Sequence, residues 1–325
     1  MANLLKVHGS ENQFFILDQT TLHQKLNDNE LKQLAQTIAD PKNNVLNGAD
    51  GLLVVDSSSH PGALGKMRVF NADGSEASMC GNGLRTVSRY LAQKFNQTHF
   101  KVETNDADLD VQREADIVEG IPAFSVQISP ISFDGKSLPL ENLKTPLIDQ
   151  PVDDFISGLE YSAVAVPNPH LISFMGMDQV KSDDLVHLGT MLNKKNPYFT
   201  DGVNVSFANV MDENELFVRT FERGVGLTNA CGTGMTATSL IYEILTHDGD
   251  FDELVNVYNP GGMVRTHIKR TGDQYELHLI GNATFTNKLT ISEDDLHNSN
   301  LNQIQISDTG EERDYQNFIK QLQTN

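Results

Sequence analysis

The chain has 325 residues, 38% of them hydrophobic, and a formal net charge of −20 from 24 Lys+Arg against 44 Asp+Glu. So acidic a balance argues against nucleic acid, whose binding leans on basic contacts to phosphate, and implies solubility with weak non-specific association. The opening stretch MANLLKVHGSENQFF lacks a long apolar core, and no later run is long enough to span a membrane. The expected setting is therefore soluble and cytoplasmic, where the only two cysteines stay free thiols. The length exceeds what one core usually holds, so two domains are expected.

In chain order, the pattern predicts a strand at Phe14–Leu17, a helix near Leu31–Ile38, and strands at Leu52–Val55 and Lys66–Phe70. A turn follows, then a helix after Cys80 with Leu84, Val87 and Leu91 on one face. Phe124–Ile128 alternates as a strand does, whereas 129–155, rich in Pro, Asp and Ser, reads as an irregular insertion. A strand at Leu171–Phe174, a helix near Asp184–Leu192, and strands at Val203–Phe207 and Glu215–Phe221 come next. They lead to a helix after Cys231, with Ala237, Ile241 and Ile244 on one face, and a later strand at Tyr275–Leu279. From Ser292 onward the chain is polar and acidic, with one weak amphipathic segment around Tyr315–Leu322.

This order occurs twice. "SMCGNGLRT" at 79–87 and "NACGTGMTA" at 229–237 set both cysteines in one Cys-Gly-x-Gly frame, 151 residues apart. "DGLLVVD" from Asp50 and "DGVNVSF" from Asp201 keep the same offset, which also aligns Asn71 with Glu222. "NQFFILD" at Asn12 faces "NPHLISF" at Asn168 at an offset of 156. Two homologous halves follow, expected at 1–120 plus 283–325 and at 121–282. No linker separates them, so closely packed domains with a cleft between them are expected.

A helix beginning just after Cys-Gly-x-Gly sets each sulfur beside backbone N–H groups and the positive end of the helix dipole. That environment is expected to lower a thiol pKa. The glycines allow close approach, so the N–H groups of Gly81, Asn82, Gly232 and Thr233 suit a carboxylate. Two sulfurs facing one molecule suit proton removal on one face of a carbon and delivery on the other, with inversion. The competing readings are small buried residues, a disulfide, or a metal site, the last of which wants more ligands close by. "GALGK" at 62–66 lacks the spacing of a phosphate loop.

"FNADGSEASMCGNG" and "FERGVGLTNACGTG", with "VHGSENQFFILD" and "NPH", resemble the signatures of the diaminopimelate epimerases over roughly residues 3–290. Proline racemases share the architecture but carry His where this chain has Asn82. The resemblance implies an α/β fold of the α+β type: two internally duplicated domains, each a mixed, mostly antiparallel sheet or barrel around a central helix, with the active site in the cleft. It implies an isomerase that converts LL- to meso-diaminopimelate, for lysine and peptidoglycan precursors, with no cofactor and no metal. No lysine lies in either signature to form a Schiff base.

Carried over residue by residue, Cys80 becomes the proton donor and Cys231 the proton acceptor, with His170 and Glu222 adjusting the thiols. Substrate would be held by Asn12, Asn71, Asn82, Asn168, Asn204, Glu222 and Arg223, and by backbone groups of Gly81, Asn82, Gly232 and Thr233. The implied partner is a small diamino dicarboxylate. A homodimer is compatible with the sequence without being specified by it. The chain departs from the family at Ser10-Glu11 in place of Leu-Gly, at Gly51 in place of Gln, and at Leu227 in place of Glu. The changes at Glu11 and Gly51 keep open a racemase of another amino acid, and the paired cysteines keep open a thiol redox sensor that forms a reversible disulfide.

Overall fold

The computed structural model describes residues 1–77 and 79–322. Its chain forms two compact units, Met1–Val126 with Ile280–Asn325, and Gln127–Leu279.

The first unit opens with strands β1 (Ala2–Gly9) and β2 (Asn12–Asp18), then helix α1 (Asp28–Ala39), β3 (Gly51–Asp56), β4 (Ala63–Asn71) and the short β5 (Glu76–Ala77). Helix α2 (Gly81–Phe95), β6 (His99–Glu103), β7 (Asp108–Glu114) and β8 (Ala123–Gln127) follow. Strand directions are mixed. β1/β2 and β3/β4 are antiparallel and β2/β3 parallel; β4 takes β5 antiparallel and β6 parallel, and β6/β7 is antiparallel. Asn27 caps α1 through a reciprocal bond with Glu30, and Leu31, Leu34, Ala35 and Ile38 pack its apolar face against β1–β4. On the other side α2 is buried for most of its length. Its hydroxyls are satisfied within the helix, Ser88 donating to the Leu84 carbonyl at 2.7 Å and Thr86 to Gly83 at 2.8 Å.

The second unit begins with the 129–155 region, which carries only the two-residue β9 (Gln150–Pro151) and isolated bridges, as its composition predicts. Then come β10 (Glu160–Val166), β11 (Asn168–Phe174), α3 (Met177–Val180), α4 (Asp184–Leu192), β12 (Asn204–Asp212), β13 (Glu215–Glu222) and β14 (Gly226–Thr228). Helix α5 (Gly232–Thr246), β15 (Phe251–Asn259), β16 (Gly262–Thr271) and β17 (Gln274–Asn282) complete it. The directions match the first unit pair for pair: β10/β11 antiparallel, β11/β12 parallel, β12/β13 antiparallel, β13 with β14 antiparallel and with β15 parallel, β15/β16 antiparallel. Helices α2 and α5 are both 15 residues long and begin 151 residues apart. The duplication is structural.

The register adds a detail that the sequence offset hides. Leu52 pairs with Phe70, but Val205 pairs with Phe221, so β12 is shifted by two residues relative to β3. The matching Asp-Gly pairs therefore do not mark matching strand positions. His170 pairs with Asn204 and Phe14 with Gly51, keeping the 156 offset of β2 and β11. The slip brings Asn204 to the end of its strand pair beside Glu222.

The polar tail is also part of the first unit. β18 (Thr284–Ile291) pairs with β1, α6 (Glu293–His297) and β19 (Gln305–Asp308) follow, and α7 (Glu311–Leu322) buries Tyr315, Phe318 and Ile319. Among the described residues no helix is long and apolar enough to cross a membrane.

Candidate active site

In the first unit Cys80 is the N-cap of α2, in extended backbone (φ −143°, ψ 112°), and is half-buried. The Gly83 N–H points at its Sγ from 3.4 Å, a donor that favours thiolate. The first intrahelical bond runs from Leu84 N–H to the Cys80 carbonyl at 2.8 Å, so the N–H groups of Gly81 and Asn82 precede the helix ladder. Asn12 approaches from the start of β2. Its Nδ2 donates to Asp50 Oδ2 at 2.7 Å, which turns Oδ1 toward the thiol (3.6 Å) and toward Asn82 Nδ2 (3.3 Å). Asn71 closes β4 opposite Gly51, its amide donating to Ser75 Oγ at 3.0 Å. A side chain at Gly51 has no room here: a Cβ would lie 2.2 Å from the Phe70 carbonyl oxygen.

In the second unit Cys231 caps α5 in the same way (φ −109°, ψ 104°) but is only 5% exposed. Thr233 Oγ1 lies between two partners, 3.6 Å from Cys231 Sγ and 3.1 Å from His170 Nε2. His170 is fully buried with Asn204 Nδ2 at 3.5 Å, and burial, then the Arg223 charge, push its pKa down to about 3. It is a neutral imidazole at any physiological pH. Glu222, half-buried at the end of β13, accepts from Thr228 Oγ1 at 2.6 Å. Arg223 donates its backbone N–H to Asn204 Oδ1 at 2.8 Å and Nη1 to the Asp201 carbonyl at 3.1 Å, while its side chain remains exposed. Asn168 opens β11, two residues before His170. Gly232 and Thr233 precede the first helical bond, Met235 N–H to Cys231 O at 2.9 Å.

The expectation that a helix start lowers the thiol pKa fails at Cys231. Burial, then the neighbouring Glu222 carboxylate, hold this thiol well above its usual value, against the lowering contacts from Thr233 and the Gly234 backbone. Desolvation outweighs the dipole, and the sequence gives no measure of desolvation. His170 reaches the sulfur only through Thr233; Glu222 is the stronger influence.

Each unit thus gathers its own cluster: Cys80, Asn12 and Asn82 in one, and Cys231, Thr233, His170, Asn204, Glu222 and Arg223 in the other. Sequence reasoning missed three contributors. Asp50 orients Asn12, Thr228 holds Glu222, and Arg85, five residues past Cys80, is fully buried. Asp50 was visible in the repeated Asp-Gly pair, whereas an arginine on a helix reads as solvated.

A duplicated α/β unit built around a buried helix defines a fold class with solved members. A Bacillus anthracis phenazine biosynthesis protein of the PhzF family superposes with a TM-score of 0.62 at 16% identity, over 88% of this chain and 97% of that one. Within that class, a sequence model described as diaminopimelate epimerase matches residues 4–120 and 162–286. A diaminopimelate epimerase of Ligilactobacillus salivarius is 49% identical over 98% of this chain and 99% of its own length. One of Lactiplantibacillus plantarum is 48% identical over 98% of each. The chain belongs to the diaminopimelate epimerase family.

Proposed function

We propose that the protein interconverts LL- and meso-2,6-diaminopimelate by a two-base mechanism that uses Cys80 and Cys231, without pyridoxal phosphate or metal. The observation that supports it best is the repeated local arrangement, a cysteine capping a buried helix at the same offset in each unit, with unequal burial. Cys231 is favoured as thiol by burial and Glu222. Cys80 receives the Gly83 N–H as Cys231 receives that of Gly234, but is only half-buried. A two-base enzyme starts each turnover with one base and one acid, and these surroundings suit that division. Because the reaction is reversible, the assignment of Cys80 as donor and Cys231 as acceptor holds for one direction and exchanges in the other.

The N–H groups of Gly81, Asn82, Gly232 and Thr233 would hold the carboxylate at the reacting carbon. The distal end would fall to Asn71, Asn168, Asn204 and Arg223, whose planar fork matches a carboxylate. Asn12, with Asn82, would keep Cys80 in line, and Glu222 and His170 would adjust Cys231. Residues 1–120 plus 283–325 and 121–282 would be the two catalytic halves of a cytoplasmic enzyme acting as a homodimer. Its product feeds lysine and peptidoglycan precursors.

Incubation with LL-diaminopimelate in deuterated water tests this. Deuterium should enter at the α-carbon as the meso isomer appears, and Cys80→Ala and Cys231→Ala should each fall below a few per cent of turnover with the circular dichroism intact. Wild-type protein without exchange, or an active alanine variant, would refute it.

A further inference from the structure

Two consecutive non-glycine residues, Ser10 (φ 52°) and Glu11 (φ 63°), take the left-handed conformation immediately before Asn12. Such backbone is costly for a residue with a Cβ and persists only where its surroundings impose it. The surroundings come from the tail helix α7. Its Tyr315 is 1% exposed, hydrogen-bonds Ser10, and stacks edge-on against His8 with ring centroids 4.6 Å apart. Its Gln316 Nε2 donates to Glu11 Oε1 at 3.1 Å and to Glu312 Oε1 at 2.9 Å. Its Glu312 Oε2 lies 3.0 Å from Nε2 of His8, whose Nδ1 accepts the Glu11 backbone N–H at 3.2 Å. From the other side Arg85 Nη2 donates to Ser10 Oγ at 3.1 Å, and Ser10 N–H donates to Asn282 Oδ1 at 2.8 Å. The guanidinium fits there because a Cβ at Gly9 or at Gly281 would lie 2.8 or 2.9 Å from it.

We propose that α7 is a positioning element for the thiol of its own unit: Tyr315, Gln316 and Glu312 hold the Ser10–Glu11 turn, and the turn delivers Asn12 Oδ1 to Cys80. The tail, polar and acidic in sequence, then carries positioning residues 232 or more positions away from the cysteine they serve. The proposal rests on Cys80 being one of the two bases, but its readout does not.

The test is the pH dependence of iodoacetamide alkylation of each cysteine, followed by peptide mass spectrometry in the full chain, for wild type, Tyr315→Phe and Gln316→Ala. Releasing the turn withdraws Asn12 Oδ1, an acceptor that favours the protonated thiol. The Cys80 midpoint should therefore move down by about half to one pH unit while the Cys231 midpoint stays. Turnover should fall about tenfold with KM within about twofold, the signature of a misplaced base. Adding Glu11→Gly to Gln316→Ala should restore most of the loss, because glycine takes a φ of +63° unaided. A Cys80 midpoint unchanged in both variants, or moving in step with that of Cys231, overturns the proposal even if the melting temperature falls. Were wild type inactive on diaminopimelate, the alkylation profiles would still decide it.

Discussion

Replacing Thr233 by valine keeps the volume of the side chain and removes Oγ1, the atom shared by Cys231 Sγ at 3.6 Å and His170 Nε2 at 3.1 Å. Two effects follow. His170 Nε2 keeps only the 3.5 Å contact with Asn204, and its Nδ1 already lacks a hydrogen-bond partner among the described residues. A buried polar atom stripped of its better partner costs about 1–3 kcal/mol, roughly 2–12 °C in melting temperature for a unit of this size. The second effect falls on the thiol. Thr233 is a lowering influence on Cys231, so its loss drives a pKa that is already raised further up. If the bond to thiolate is worth about 1.4 kcal/mol, the midpoint moves up by about one unit and alkylation at pH 7 slows about tenfold. Glu222→Gln removes a raising influence and should move the midpoint the other way. The assay is Cys231 alkylation against pH, with Thr233→Ser as the control that retains the hydroxyl. A Thr233→Val midpoint equal to wild type would refute the claim that this hydroxyl supports the thiolate.

Arg223→Lys should raise KM for LL-diaminopimelate by about tenfold, since an ammonium cannot make the paired bonds of a guanidinium; lysine, which lacks the distal carboxylate, should be a correspondingly poor substrate of the wild type. Steady-state kinetics on both compounds checks this, and equal turnover of lysine would remove Arg223 from the distal site. Glu243, buried on α5 and 2.8 Å from His247, has its pKa raised to about 7, chiefly by burial. Its stabilising effect is complete below the ordinary glutamate pKa and is lost as pH rises through 7. Glu243→Gln should therefore raise the melting temperature more at pH 8 than at pH 5, and an equal shift at both would contradict the assignment.

Much of this molecule is written locally. Leu31–Ile38 and Asp184–Leu192 repeat at helical spacing, and α1 and α4 cover those residues. Other features depend on partners remote in sequence. β1 was not anticipated because it is stabilised from both sides, by β2 and by β18, nearly the whole chain away. The buried face of α7 carries Tyr315, Phe318 and Ile319, but a helical face does not reveal what it packs on, so its attachment to the Ser10–Glu11 turn could not be foreseen. Arg85 is hidden for a related reason: its burial depends on space left by Gly9 and Gly281, which no local pattern around Cys80 reveals. Both cysteines and their helix starts were legible, because a repeated frame is a local signal. The protonation preference of Cys231 was not, because it comes from exclusion of water.

The shift of β12 against β3 bears on how duplicated genes diverge. Side chains alternate along a strand, so a slip of one residue would have turned every core residue outward, whereas a slip of two preserves the alternation and changes only which residues meet. Leu171 still faces Val205 as Phe15 faces Leu52. At the end of the row, however, one copy carries Phe14, Gly51 and Asn71, and the other carries His170, Asn204 and Glu222. An even-numbered insertion was thus a mutation the ancestral fold could absorb without losing its interior. It placed Asn204 in one row between His170 and Glu222, while the matching row of the other copy, Phe14, Gly51 and Asn71, has no ionisable side chain, a route by which a symmetric ancestor acquires two unlike clusters.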